Sequence, residues 1–246
     1  MKDISLEVLI KDAKELIRLA DNISERITIK DNDFRGVIIC ALFSGIVSGY
    51  ESICILCKNL YSIEAEKLLR SLLETLFYMG ACYKSDDAYN RYIGKNITEL
   101  KKTCNIVEAK PHIYSEVIQE GIKNLYNEAL KEADSKKTKP LTAEEAAKFC
   151  LIEGIYEFAY RELSKPVHSS PGYVFRHYIK HDSSEVKGIN IGPNDSRVND
   201  VLFTANAALL ISLDWFAELN YLERKSDIER IASKYKVQAV TNKKSE

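Results

Sequence analysis

Apolar residues recur three and four positions apart along most of the chain, which is the spacing of one face of an α-helix. The most regular stretch spans residues 64–84, and similar patterns cover residues 4–28, 34–59, 86–103 and 113–133. No segment shows a convincing alternation of apolar and polar residues of the kind that indicates a β-strand. The pattern therefore predicts an all-α fold.

A long helix is predicted to follow Thr142. Thr142 and Glu145 have the spacing of a capping box, in which two side chains satisfy amide groups of the first helical turn. The helix is predicted to run to about Leu163, because Pro166 pushes the residue before it out of helical space.

The rest of the chain carries weaker patterns and one strong one. We predict a short helix near residues 173–182, a polar loop over 182–197, a long helix with an apolar stripe over 198–219 and a short helix over 226–235. Residues 236–246 are expected to form a frayed tail. The whole chain is thus predicted to be one domain, a bundle of about five long helices with short additions.

The composition is that of a globular protein, with 46% hydrophobic and 29% charged residues and only 10 glycines and 5 prolines among 246 residues. The net charge of −1 argues against nucleic-acid binding through bulk positive charge. Any contact with RNA would need a local patch, and the most lysine-dense stretch is 131–139. Residues 134–141 are equally interpreted as a solvated polar linker.

The N-terminus turns charged at once and predicts no signal peptide. Six cysteines do not make a disulfide scaffold, so we expect reduced thiols and a cytoplasmic protein. Residues 37–57 approach membrane-span length, but Glu51 and three serines interrupt them. We expect this helix to lie at the centre of the bundle, buried on all sides, with no membrane contact.

Arg161 and His168 are the strongest candidates for chemistry. Arginine offers a planar fork for phosphate oxygens, and histidine transfers protons near neutral pH. Together they suffice for attack of a ribose hydroxyl on its own phosphate without a metal. The alternative is structural, since Arg161 is predicted in a last helical turn, where it would satisfy carbonyl groups, and His168 in a surface loop.

Arg161, six intervening residues and His168 resemble the R-x(4-6)-H motif of the HEPN superfamily. The resemblance implies a small helical bundle and a metal-independent ribonuclease of a toxin–antitoxin or antiphage system. It also implies a homodimer in which two arginine–histidine pairs share one cleft. HEPN nucleases often carry Asn or Asp after the arginine, where this chain has Glu162.

A second resemblance is to a family of uncharacterised helical proteins found in bacteria and their mobile elements. It rests on an R-S-x-x-E helix within residues 68–78 and a Y-x-x-L-S-x-x-x-H segment within 160–168. The matching residues are Arg70, Ser71, Glu74, Tyr160, Leu163, Ser164 and His168. This family implies no established activity.

Arg70 and Glu74 lie four residues apart on one predicted helix face with little exposed surface. A structural ion pair is the simplest interpretation. The alternative is that this face, with Ser71 and Tyr78, meets the loop that holds His168 and forms one polar pocket.

Other candidate sites are weaker. His177 and His181 would share one side of a helix and could begin a zinc site, but no cysteine lies near them in sequence. Cys54 and Cys57 have redox spacing but lie in an apolar helix, where we expect core residues. We therefore expect neither a metal nor a cofactor.

The leading hypothesis is an RNA-cleaving effector of bacterial defence or a toxin–antitoxin system. His168 would assist proton transfer and Arg161 would stabilise the charge on the phosphorane, while Tyr160 and Ser164 would shape the pocket. Arg70 and Glu74 would support it. The expected partners are RNA, a second copy of the chain, and an antitoxin or defence protein. The alternative is a non-catalytic helical module that binds a partner or a small ligand.

Overall fold

Helices account for most of the residues that the computed structural model describes, which are 4–27, 33–132, 139–182, 185–219 and 225–235. In these ranges the elements are, in order, α1 (Leu6–Ser24), α2 (Phe34–Lys58), α3 (Ser62–Lys84), α4 (Asp86–Glu108), α5 (Glu116–Glu132), α6 (Ala143–Phe149), α7 (Glu153–Ile155), α8 (Ser164–Val167), α9 (Pro171–Tyr178), β1 (Ile179–Asp182), β2 (Glu185–Ile189), α10 (Val198–Leu219) and α11 (Lys225–Tyr235). The predicted all-α fold is confirmed. The proposed tail, 236–246, and most of the proposed linker lie outside the described residues.

The core lies between α2, α3 and α10, the three helices that pack against one another most extensively. Phe43 of α2 stacks on Phe216 of α10 with ring centroids 4.0 Å apart, and both rings are buried. Helix α1 covers α10 on the outside, while α4 packs on α3 and α5 packs on α4. Helix α3 is therefore central, since α2, α4, α6, α8, α10 and the π-helical turn at 156–160 all contact it.

Helix α2 is less buried than its apolar composition predicted. Its buried residues form one stripe at helical spacing, whereas Phe34 and Ile55 are exposed. The expectation of burial on all sides is wrong, because only one face of α2 meets α3 and α10. Helices α2 and α10 are both long and apolar enough to cross a membrane, but composition of this kind is shared by core helices, and α10 is largely buried here.

The predicted continuous helix from Thr142 to about Leu163 is also wrong, although its capping box forms. The chain leaves helical geometry after α6, and Leu151 adopts the left-handed region with φ of 60°. Helix α7 then continues as a π-helical turn, Tyr156–Tyr160. Pro166 lies in the first turn of α8. Backbone amides in a first turn have no partner within the helix, so a proline there removes no helical hydrogen bond.

A hairpin replaces the polar loop predicted after α9. Strand β1 pairs with β2 in antiparallel register, with a bulge between Lys180 and His181. Helix α9 ends at Tyr178, so His177 and His181 do not share a helix, and the geometric premise of the zinc hypothesis is wrong.

A chain of buried hydrogen bonds holds α11 on the bundle. The Tyr235 hydroxyl donates to Asp12 Oδ2 at 3.1 Å and accepts from Asn206 Nδ2 at 2.7 Å. Tyr50 donates to Asn206 Oδ1 at 2.6 Å, and Lys234 Nζ lies 2.6 Å from Asp12 Oδ1. Because buried polar groups need partners, this network fixes the position of α11 against α1 and α10.

Candidate functional site

Glu66, Arg70 and Glu74 follow one another at four-residue intervals on α3 and form what we call the α3 charged stripe. An interval of four places the three side chains on one face of the helix. The residues that contact this stripe come from α4, from the segment 156–178 and from Arg197, just before α10. The stripe is therefore where the segment containing the sequence-predicted site docks on the bundle.

At one end of the stripe, the carboxylate of Glu74 contacts one hydroxyl group and one ammonium group. The Tyr160 hydroxyl donates to Glu74 Oε2 at 2.8 Å, and Lys95 Nζ lies 3.9 Å from Glu74 Oε1. Lys95 also donates to the Tyr78 hydroxyl at 2.8 Å. Burial, followed by the hydrogen bond to Glu74, raises the pKa of Tyr160, so this phenol stays protonated and acts as a donor.

Arg70 occupies the middle of the stripe. Its Nε donates to Ser164 Oγ at 3.2 Å, and its guanidinium carbon lies 4.5 Å from the centre of the Tyr160 ring. Nη1 is 3.5 Å from Glu74 Oε2, which is a long contact. Only 21% of the Arg70 side chain is exposed. A desolvated guanidinium stacked on an aromatic ring and bonded to a hydroxyl is held in one orientation.

Glu66 forms the other end of the stripe, and 1% of its side chain is exposed. Arg197, just before α10, places Nη1 2.7 Å from Glu66 Oε1, and the Tyr173 hydroxyl donates a short hydrogen bond to Oε2. Burial and this bond raise the pKa of Tyr173. The His177 ring packs on Tyr173 at 4.2 Å between centroids, and burial lowers the pKa of His177.

His168 lies where α8 ends, and its side chain is exposed. Its backbone amide donates to the Ser164 carbonyl at 3.0 Å, while the Ser164 hydroxyl is the group that Arg70 contacts. Ser169 follows with φ of 47°, a left-handed conformation that turns the chain into α9. The position of His168 is thus set by a short helix that Arg70 fixes to α3.

Arg161 is exposed and lines a separate cleft of about 270 Å³. The other residues of this cleft are Glu144, Lys148, Glu153, Tyr156 and Glu157, and His168 is not among them. Three carboxylates beside one guanidinium and one ammonium make this cleft unfavourable for a phosphate.

The structure brings together five of the sequence-predicted residues around one network: Arg70, Glu74, Tyr78, Tyr160 and Ser164. Ser71 lies on the exposed side of α3, and Arg161 and His168 lie outside the network. Three residues that contact the stripe were not predicted from the sequence: Lys95, Tyr173 and Arg197. Glu66 carried a signal, since it lies four residues before Arg70 on the same helix face.

Taken together, the network is a set of ion pairs and hydrogen bonds that positions the segment 156–178. At its outer surface the cations Lys165, Arg176 and Arg197 act on Glu162, and two of them are ion-paired, Lys165 with Glu162 and Arg197 with Glu66. The hydrogen bond from Lys165, with the charges of all three cations, holds the pKa of Glu162 below its usual value. Cations beside an exposed histidine are the groups that could contact a phosphate and exchange a proton with its substituents.

The structure is an all-α bundle with a partly buried charged stripe under a helical segment, and the comparisons place it in a family. Residues 36–186 match the model of a family of unknown function, DUF5677, and the chain belongs to that family. The matched region contains the α3 charged stripe and the whole segment 156–178. The description of the family assigns no activity. No curated protein and no solved structure matches the chain.

Proposed function

We propose that this protein is a metal-independent ribonuclease-type effector of the HEPN kind, acting through His168 and Arg161. The observation that carries the proposal is the exposed His168 at the end of α8, in a segment whose neighbouring cations, Lys165, Arg176 and Arg197, act together on Glu162. A chain of net charge −1 needs a local basic patch if it is to bind RNA, and in this proposal these three cations supply it.

In this proposal, the basic patch holds the RNA backbone and His168 exchanges a proton with the attacking ribose hydroxyl or the leaving oxygen. Arg161 stabilises the charge that develops on the phosphorane. The α3 charged stripe positions the histidine, because Arg70 fixes Ser164 and Ser164 accepts the amide of His168. Tyr160 fixes the preceding turn through Glu74.

The homodimer, the RNA substrate and a partner antitoxin or defence protein belong to the same proposal, as does a cytoplasmic location. A second copy would supply an arginine–histidine pair to a shared cleft, as the resemblance to HEPN nucleases implies.

A second candidate function is a non-catalytic helical module that binds a partner. The specific observation in its favour is the cleft around Arg161, where Glu144, Glu153 and Glu157 oppose an RNA phosphate. In such a module the segment 156–178 would be a docking element, and its contacts with α3 would be structural only.

The test uses the purified full-length chain, total RNA and a chelator. Wild type, His168→Ala and Arg161→Ala are compared with His112→Ala and Arg26→Ala, which alter exposed residues elsewhere. The proposal expects cleavage by wild type and both controls, and a loss of at least about 100-fold in His168→Ala. Equal cleavage by His168→Ala, or no cleavage by a folded wild-type dimer, leaves the module as the function.

A further inference from the structure

A largely apolar cavity of about 450 Å³ lies between α10, α11 and the irregular segment 151–159. Its volume is within the range of small-molecule sites, which are concave, mostly apolar and carry few polar groups. None of the residues of the α3 charged stripe lines it. The cavity is therefore a feature separate from the proposed ribonuclease site.

One wall of this cavity is built from unusual backbone. Leu151, which lines it, has φ of 60°, and a leucine in the left-handed region is strained. Phe158, on the same wall, belongs to the π-helical turn. The two side chains are 63% and 79% exposed. Strained residues and π-helical turns are frequent at functional sites, and here both carry apolar side chains at the mouth of one cavity.

The opposite wall is held in place by the buried network of α11. Tyr235 lines the cavity with its ring, while its hydroxyl is bonded to Asp12 and Asn206 outside the lining. Because that hydroxyl is satisfied, α11 is fixed at its end and the cavity does not depend on a loose helix.

The described lining offers no partner for an anion. Asp214 and Glu229 are its carboxyl-bearing residues, and it contains no lysine or arginine. An anionic ligand would have to leave water without a cation to pair with, which is costly in an apolar site, whereas an uncharged ligand would not.

We propose that this cavity binds an apolar small molecule, aromatic or aliphatic, that carries no negative charge. Aromatic and aliphatic side chains from all three walls supply the contacts, including Phe203, Ile211 and Trp215 of α10. The site lies outside the proposed RNA chemistry, so it is a binding function additional to it.

Trp215 provides the measurement, because it is the single tryptophan of the chain and lines the cavity. The dye is N-phenyl-1-naphthylamine, which is uncharged and accepts energy from tryptophan. The matched anion is 8-anilino-1-naphthalenesulfonate, which has the same ring system and a sulfonate. We expect saturable energy transfer from Trp215 to the uncharged dye and at least about tenfold weaker binding of the anion.

Gly154→Phe tests the location, since Gly154 lines the cavity and an added Cβ there meets no atom within 4 Å. Gly121→Phe in α5 is the matched control, with an equally open Cβ position outside the lining. We expect Gly154→Phe to weaken dye binding at least about tenfold and Gly121→Phe to leave it unchanged. Ala207→Leu, from the α10 wall, is the second filling variant if Gly154→Phe does not fold.

Three results would overturn the proposal. One is no energy transfer from Trp215 in folded wild type, and another is equal binding by the two filling variants and wild type. The third is a wild-type dimer that binds no dye and that dissociates when Gly154→Phe is introduced but not when Gly121→Phe is. That result would assign the cavity to a second copy of the chain.

Discussion

Tyr160 and Glu74 are joined by a 2.8 Å hydrogen bond between the phenol and Oε2, across 86 positions of sequence. The phenol comes from the end of the π-helical turn, and the carboxylate comes from the centre of α3. The three residues contact one another pairwise, because Arg70 also contacts the ring of Tyr160 and the carboxylate of Glu74. The bond therefore fixes the turn from which α8 and His168 continue.

Tyr160→Phe removes the donor and leaves Glu74 with the longer contacts to Arg70 and Lys95. We expect a loss of about 1–3 kcal/mol in the free energy of unfolding, since a hydrogen bond to a charged group is removed. Urea denaturation followed by circular dichroism measures it. Tyr126→Phe, at a half-exposed tyrosine of α5, is the control. An equal effect of both substitutions would show that the bond to Glu74 contributes nothing specific.

The helices could be predicted because periodic apolar stripes report which residues face a core. The break at Leu151 could not, since neither glycine nor proline stands at it, and the nearest glycine, Gly154, lies within α7. Strand β1 was missed because its four residues, Ile179–Asp182, are too few to show alternation. The partial burial of α2 could not be predicted either, because a uniformly apolar sequence does not indicate which face of the helix will be covered.

For the candidate site, spacing on one helix predicted correctly that Arg70 and Glu74 share a face. Their partners depend on how distant elements pack, so Lys95 and Arg197 could not be inferred from local pattern. The Arg161–His168 spacing predicted convergence only under the assumption of a simple helix end. The π-helical turn and α8 change the directions of both side chains from that assumption.

Arg197 and Glu66 provide a second test of the α3 charged stripe. Arg197→Ala leaves the buried carboxylate of Glu66 with the Tyr173 hydroxyl as its described partner, and we expect a loss of about 2–3 kcal/mol. Adding Glu66→Gln to Arg197→Ala removes the unpaired charge and should recover part of that loss. A double-mutant cycle by urea denaturation measures the coupling, with Arg26→Ala as the control. Additive effects would contradict a direct interaction.

Gly80 of α3 is enclosed by the core. A Cβ at this position would lie 2.7 Å from Cys150 Sγ and would also overlap the ring of Trp215. We expect Gly80→Ala to lower the free energy of unfolding by about 1–3 kcal/mol through overpacking and to change Trp215 fluorescence. Gly49→Ala is the matched control, since its Cβ would meet Leu72 at an ordinary 3.9 Å. That control should gain up to about 1 kcal/mol from helix propensity.

Glu145 makes the stability of the α6 cap depend on pH. The ion pair with Arg91, whose Nη2 lies 2.7 Å from Glu145 Oε2, together with hydrogen bonds from Thr142 and Lys139, lowers the pKa of Glu145 from 4.5 to about 2. The unfolded chain therefore binds a proton at higher pH than the folded chain, so this stabilisation is complete above about pH 5 and is lost as the pH falls towards 2. After allowance for solvent screening, it amounts to about 1–2 kcal/mol.

Urea denaturation of wild type and Glu145→Gln between pH 6 and about pH 3 measures this contribution. We expect the difference in free energy of unfolding between the two proteins to shrink as the pH falls, because the glutamine cannot titrate. Glu144→Gln, which alters an exposed carboxylate paired with Lys148, is the control and should follow wild type closely. A difference that stays constant over this range would mean that Arg91 and Glu145 do not interact in the folded protein.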